Sequence, residues 1–177
     1  MFDCIYKEGG MRLEKSYKFK NIEANLIKLL YIILSNQPIL KYIYYLDSDP
    51  QSHADVEINL LETGNIVLTL FDETILTEEC VKIFLNPLQG DLRKQPLSDI
   101  TFTLDIVMNN SLWILTGRGE LRAYRIADEF AELVDGKNVA GIGDVEITRF
   151  QAFKSGTSYS GLSLLIKVNS STMKGLR

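Results

Sequence analysis

The sequence predicts an α+β domain, a mostly antiparallel sheet flanked by an N-terminal helix and a central amphipathic helix. Three observations carry that prediction. Apolar residues recur at helical spacing from Ile22 to Leu34 and from Leu121 to Val134. They alternate at period two elsewhere, most cleanly from Thr101 to Met108 and from Leu162 to Val168. The resulting order of helix, strands, helix, strands is that of helices covering one sheet.

Bulk composition agrees with a single core. The chain has 177 residues, 46% hydrophobic and 24% charged, enough to bury one sizeable core without a disulfide or metal. We expect a leader over residues 1–20, one domain over 21–168 and a loose tail over 169–177. A formal charge of −4 argues against a general nucleic-acid binder, whose phosphate affinity comes from clustered Lys and Arg. Cys4 and Cys80 show no metal-ligand spacing and are expected to be thiols. The longest apolar run, Leu29 to Leu34, is far short of the roughly 20 residues that cross a bilayer. With no secretory pattern at the N-terminus, assembly in the cytoplasm is expected, away from any membrane. Lys7-Glu8-Gly9-Gly10 before Met11 fits a ribosome-binding site at the codon level, so translation starting at Met11 is an expectation alongside a start at Met1.

The first helix is predicted from Ile22 to Leu34, capped by Asn21. Ile22, Leu26, Leu29, Leu30 and Ile33 form its stripe, and Ile27, Tyr31 and Ile32 widen it enough for a second packing surface. Pro38 suits the start of a short helix running to about Tyr45, broken by Asp47-Ser48-Asp49-Pro50. From Asp55 the period changes: Val56, Ile58 and Leu60, then Ile66, Leu68 and Leu70 across Glu62-Thr63-Gly64-Asn65, read as a hairpin, with helix an alternative for the first half. Asp72 to Glu79 is an acidic link. Val81, Ile83 and Leu85 form a strand ended by Asn86-Pro87, and Gly90 to Pro96 is a polar loop.

The strand Thr101 to Met108 should be central, with Phe102, Leu104, Ile106 and Met108 on one face. After Leu112 to Leu115 and the Gly117-Arg118-Gly119 turn, a helix runs from Glu120 or Leu121 to Val134. Its buried side is Ala123, Ile126, Ala127, Phe130, Leu133 and Val134, and Asp135-Gly136 ends it. Val145 and Ile147 open a strand that breaks period near Arg149-Phe150, the mark of a bulge. Lys154 to Gly161 is a hairpin loop, and Leu162, Leu164, Ile166 and Val168 close the domain.

Little here points to catalysis. His53, the only histidine, sits in a polar Ser/Gln/Asp context. The nearest approach to a metal-nuclease set is Asp105 with Glu146 and Lys167, on strands that can be neighbours, without a nuclease spacing. No catalytic residue, cofactor or metal is expected. Arg118, Arg122 and Arg125 at i, i+4 and i+7 would share one side if the helix reached back through Gly119. Cations at a helix N-terminus oppose its dipole, which a carboxylate or another subunit would relieve. Arg125 can also pair with Glu129. A solvated face, a subunit interface and phosphate binding are the three readings of these arginines. Arg122 and Arg125 are expected to point outward.

The strand Ile100-Thr-Phe-Thr-Leu-Asp-Ile-Val107, the helix Leu121 to Val134, the Gly136–Gly143 link and the closing hairpin through Val168 resemble the tail terminator proteins of tailed bacteriophages. Upstream, the helix around Asn25-Leu-Ile-Lys-Leu-Leu30 and the strand Val81 to Pro87 match that order of elements. The Asp55–Leu70 and Leu112–Leu115 stretches look like additions. The resemblance implies a structural virion protein of the neck: a ring, commonly hexameric, that caps the tail tube, joins the head connector and lets DNA pass without specific binding. A head-closure or connector adaptor is the alternative, and a small metal-dependent nuclease is the alternative from another class. The residues expected at the subunit interface are Arg118, Arg122, Arg125, Glu129, Leu26 and Tyr31.

Overall fold

Helix formation in the first third of the chain follows the apolar stripe and not the expected cap. The structure, a computed structural model, describes residues 19–69, 79–90, 99–115 and 119–169. The leader before Phe19, both candidate start methionines, the acidic link up to residue 78, the polar loop at 91–96, Arg118 and the tail beyond Asn169 lie outside the described residues. Helix α1 spans Lys20–Leu34. Asn21 lies inside it, and the carbonyl of Phe19 accepts the N–H groups of Ile22 and Glu23. The helix buries Leu29, Leu30 and Ile33, so core packing sets its position and no side-chain cap is used.

Helix α2 spans Gln37–Tyr44 and starts as its sequence dictates: the Asn36 side chain accepts the Ile39 N–H at 2.9 Å, and Pro38 follows in the first turn. A single 3-10 turn, Pro50–Ser52, succeeds it. The hairpin expected from Asp55 to Leu70 is not formed. The amide of Gln37 binds the Val56 backbone on both sides, donating to its carbonyl at 3.2 Å and accepting its N–H at 2.8 Å. A side chain thereby takes the place of a neighbouring strand. Val56 and Leu60 are buried all the same, and Asn59 and Gly64 build local turns between them and strand β1, Ile66–Val67.

The sheet has the order β1, β2 (Val81–Gly90), β3 (Asp99–Asn109), β6 (Tyr159–Asn169), β5 (Gly143–Ser155), β4 (Lys137–Val139). β1 runs parallel to β2 (Val81–Gly90), and every other pair is antiparallel. β2 passes through Asn86 and Pro87 where it was expected to end, with a register shift between Pro87 and Gln89. Val81 and Ile83 bond away from β3, to Asn65, so by alternation the missing N–H of Pro87 falls on the outer side and costs no ladder bond. β3 (Asp99–Asn109) is central, as expected, and pairs along its whole length with β6 (Tyr159–Asn169). β5 (Gly143–Ser155) carries the expected bulge between Ile147 and Arg149 and joins β6 through the short turn Gly156 to Ser158, tighter than the loop expected there. The expected link after α3 (Arg122–Val134) contains a further strand, β4 (Lys137–Val139), paired with Gly143 to Val145.

All three helices contribute to one core with the inward face of the sheet, where Phe102, Leu104, Ile106, Met108, Leu162, Leu164 and Ile166 are buried. A smaller cluster on the opposite face joins Phe84 and Val107 with Val67, Cys80, Phe153 and Tyr159.

Candidate functional site

Of the expected interface residues, Arg122 is placed most differently. It was expected to point outward, and it is 1% exposed. Its five donors are all used on main-chain carbonyls: Nε on Leu112 at 3.0 Å, Nη1 on Tyr42 at 2.8 Å and Tyr45 at 2.7 Å, and Nη2 on Leu46 at 3.3 Å and on Asp47. Tyr42 and Tyr45 belong to the end of α2, whose last carbonyls have no partner within that helix. The charge that opposes the dipole at the start of α3 therefore serves the negative end of α2. Burial pulls the guanidinium pKa below its ordinary value, and Asp47 and Tyr42 act against that shift.

The other expected residues are dispersed. Arg125 is half-exposed and turns back to Glu120, with its Nη2 donating at 2.6 Å and its Nε at 3.1 Å, and lies 3.9 Å from Asp128. These carboxylates replace the expected partner Glu129. Leu26 packs partly buried against the core, whereas Tyr31 is 65% exposed on the outer side of α1. Arg118 lies outside the described residues.

The feature that sequence reasoning missed is the free side of β5. β4 covers only Gly143 to Val145. The Ile147 N–H is taken by the Asp135 carboxylate at 2.7 Å. From Thr148 onward, no second strand lies beside β5 among the described residues. By the antiparallel alternation after the bulge, Phe150, Ala152 and Lys154 direct their N–H and C=O groups to this open side. Above it lies an apolar groove of 340 Å³ between α3 and the sheet, lined by Tyr124, Ala127, Ala131, Ile147, Phe150 and Leu162 and rimmed by Asp128 and Asp135. Phe150 is 65% exposed in it. Glu129, elsewhere on α3, does not line the groove; its burial together with Glu132 and Asp128 raises its pKa, while Arg125 lowers it. The open side is a hydrogen-bonding ladder beside an apolar trough with Asp128 and Asp135 among its lining, and the strand itself carries Arg149 and Lys154.

The residues weighed for catalysis do not converge. Glu146 and Lys167 are directly opposed on β5 and β6, but Asp105 sits in the row of Ser163, about 13 Å further along the strands. Asp105 accepts the Ser163 hydroxyl, and burial raises its pKa. Among the described residues no group of three or more His, Cys, Asp or Glu side chains could hold a metal ion. His53 Nε2 meets Asp47 Oδ2 at 2.7 Å, with its ring stacked on Tyr45. Asp47 is held below the usual carboxylate range, first by the Asp49 N–H and then by His53. That contact orders the loop whose carbonyls receive Arg122.

Residues 36–168 match the YomW family, which is phage-derived. The chain belongs to the YomW family. No match was found among curated proteins. Among solved structures, a chain of the "Virion of native gene transfer agent (GTA) particle" is similar at 11% identity and a TM-score of 0.37, over 72% of this chain and 93% of that one. The YomW match begins at the Asn36 cap of α2 and ends at Val168 in β6. It takes in Arg122, the carbonyls that Arg122 binds, the groove and the open side of β5. Helix α1 lies before it. No single helix among the described residues is long and apolar enough to cross a membrane; α1 and α2, bent by 80° at their junction, qualify only when joined.

Proposed function

We propose that this YomW-family protein is a structural virion protein of the phage neck, a tail terminator that assembles as a ring, hexameric by resemblance. It caps the tail tube, joins it to the head connector and lets DNA pass without specific binding. It assembles in the host cytoplasm and is not an enzyme. The single observation that carries the reading is the unpaired side of β5 next to an apolar groove. A subunit of a closed ring needs a lateral surface that a neighbour completes, and a long open strand is otherwise a liability that proteins blunt. The phage-derived family and the tail-terminator order of elements support the same conclusion, and a net charge of −4 suits a conduit that must not grip DNA.

The test is assembly of the purified full-length chain, by sedimentation and negative-stain microscopy, with and without tail tubes. Closed rings, or density at tube ends, are the expected result. A chain that stays monomeric at high concentration and ignores tail tubes overturns the reading.

A further inference from the structure

From Thr148 to Lys154, β5 is exposed apart from the half-buried Phe153. This stretch carries Arg149 and Lys154 and no carboxylate. The trough has the opposite sign: Asp128 and Asp135 line it, and no Lys or Arg does among the described residues. Asp135 is engaged by the Ile147 N–H, but Asp128 is 70% exposed and lies 3.9 Å from an Arg125 that turns to Glu120 at 2.6 Å. Within one chain Lys154 stands four residues, about 13 Å, beyond Phe150 and the trough. A second β5 running antiparallel brings its own Lys154 back to Phe150, so the surface complements itself.

The outward residues set the register. Phe150, Ala152 and Lys154 direct their N–H and C=O groups to the open side, and opposite Leu164, Leu162 and Ser160 of β6 they share the helix-facing side. A twofold axis at Ala152 sets Ala152 against its own copy and Phe150 against Lys154 of the second copy, so all three outward residues pair. An axis at Lys154 would set two ammonium groups face to face, which like-charge repulsion opposes. An axis at Phe150 would drive the second strand toward Ile147, whose N–H Asp135 already holds.

We infer that two copies of this chain pair through their β5 strands about a twofold axis at Ala152, joining their sheets into one. Backbone bonds cover the open side, and Lys154 of each copy seats against Asp128 and the Phe150 ring of the other. Such a contact is isologous and closes on itself. Resting on the ring reading above, the pair is the form of the chain before it meets a tail tube. It occupies the side that a ring neighbour completes, and it opens for the ring to form there.

The experiment uses the full-length chain, with Ala152→Cys as the probe. Directly opposed residues of such a pair have Cα atoms about 5.5 Å apart, within the span of a disulfide. Mild oxidation with diamide should give a dimer whose 152–152 link, identified by peptide mass mapping, is distinct from links through Cys4 or Cys80. The wild type should sediment as a dimer. Lys154→Glu and Asp128→Lys should each weaken it about tenfold or more, and the double variant should restore it, a rescue that a folding defect would not produce. The oxidised Ala152→Cys dimer should fail to cap tail tubes, and reduction should restore capping. A monomeric or ring-forming free wild type whose folded Ala152→Cys variant never forms the 152–152 link overturns the pair, and leaves the ring reading in place where tubes are capped. A linked dimer that caps tubes as well as the reduced chain overturns the shielding role. A dimer that links through residue 152 but caps no tube in either redox state overturns the ring reading and leaves the pair.

Discussion

A single guanidinium ties the two halves of the helical layer together. Arg122 is the first residue of α3, yet its bonds go to the end of α2, to the loop after it and to Leu112. Removing it leaves several buried carbonyls without donors, at a cost of about 3 kcal/mol or more. Arg122→Ala should lower the denaturant midpoint sharply, and Arg122→Lys should recover little, because an ammonium cannot serve five spread acceptors. Arg125→Ala, on the exposed side, should move that midpoint far less, since its ion pairs with Glu120 and Asp128 are screened by solvent. Equal effects of the two alanine substitutions would refute this division. Asp105 gives a pH-dependent counterpart. Burial raises its folded pKa above the ordinary 3.8, so its stabilising contribution is complete below that value and is lost as pH rises through the raised one. Asp105→Asn should therefore match the wild type under acid conditions and exceed it at neutral pH, in urea titrations run at both. Equal midpoints at neutral pH would contradict the assignment.

At the scale of elements, the sheet depends on close approach as much as on pairing. Gly161 in β6 lies under the Phe153 ring of β5: a Cβ there would come 2.5 Å from Phe153 Cζ and 2.5 Å from the Ile106 carbonyl oxygen of β3. Gly161→Ala should thus destabilise the protein by about 1–3 kcal/mol. A Phe153→Leu background should not restore it, since the Ile106 oxygen is main chain and held in the β3 ladder. Full recovery in the double variant would show that the aromatic ring alone sets the constraint. The bulge at Ile147 and Arg149 acts at the same scale. It shifts β5 by one residue so that Phe150 rejoins the helix-facing side and reaches the groove.

For the molecule as a whole, the proposed ring places the demand for a neighbour on one side of the sheet. Its open side runs along one long strand, and the carboxylates that a nuclease would gather stand apart on the opposite face. We expect no cleavage of linear or branched DNA with magnesium or manganese, assayed beside Asp105→Ala. Cleavage that the substitution abolishes would make the nuclease reading the leading one.

Periodicity alone determined α1 and α3, the central strand Thr101 to Met108, the closing strand Leu162 to Val168 and the bulge in β5, because each has an apolar face repeating at its own period. Local chemistry also placed α2 through Pro38, although its cap, Asn36, went unread. The stretch around Val56 misled for a physical reason: its alternation is real and its apolar residues are buried, but the distant Gln37 amide occupies the bonds a partner strand would have used. Arg122 misled likewise, since helical spacing reports which side of its own helix a residue occupies and not which other helix end lies beside it. Which side of a strand stays open is not legible locally. Clean alternation marked β3 as central and the broken period marked the bulge in β5, but that β5 keeps one side open beyond Ile147 follows only from the order of strands in the sheet.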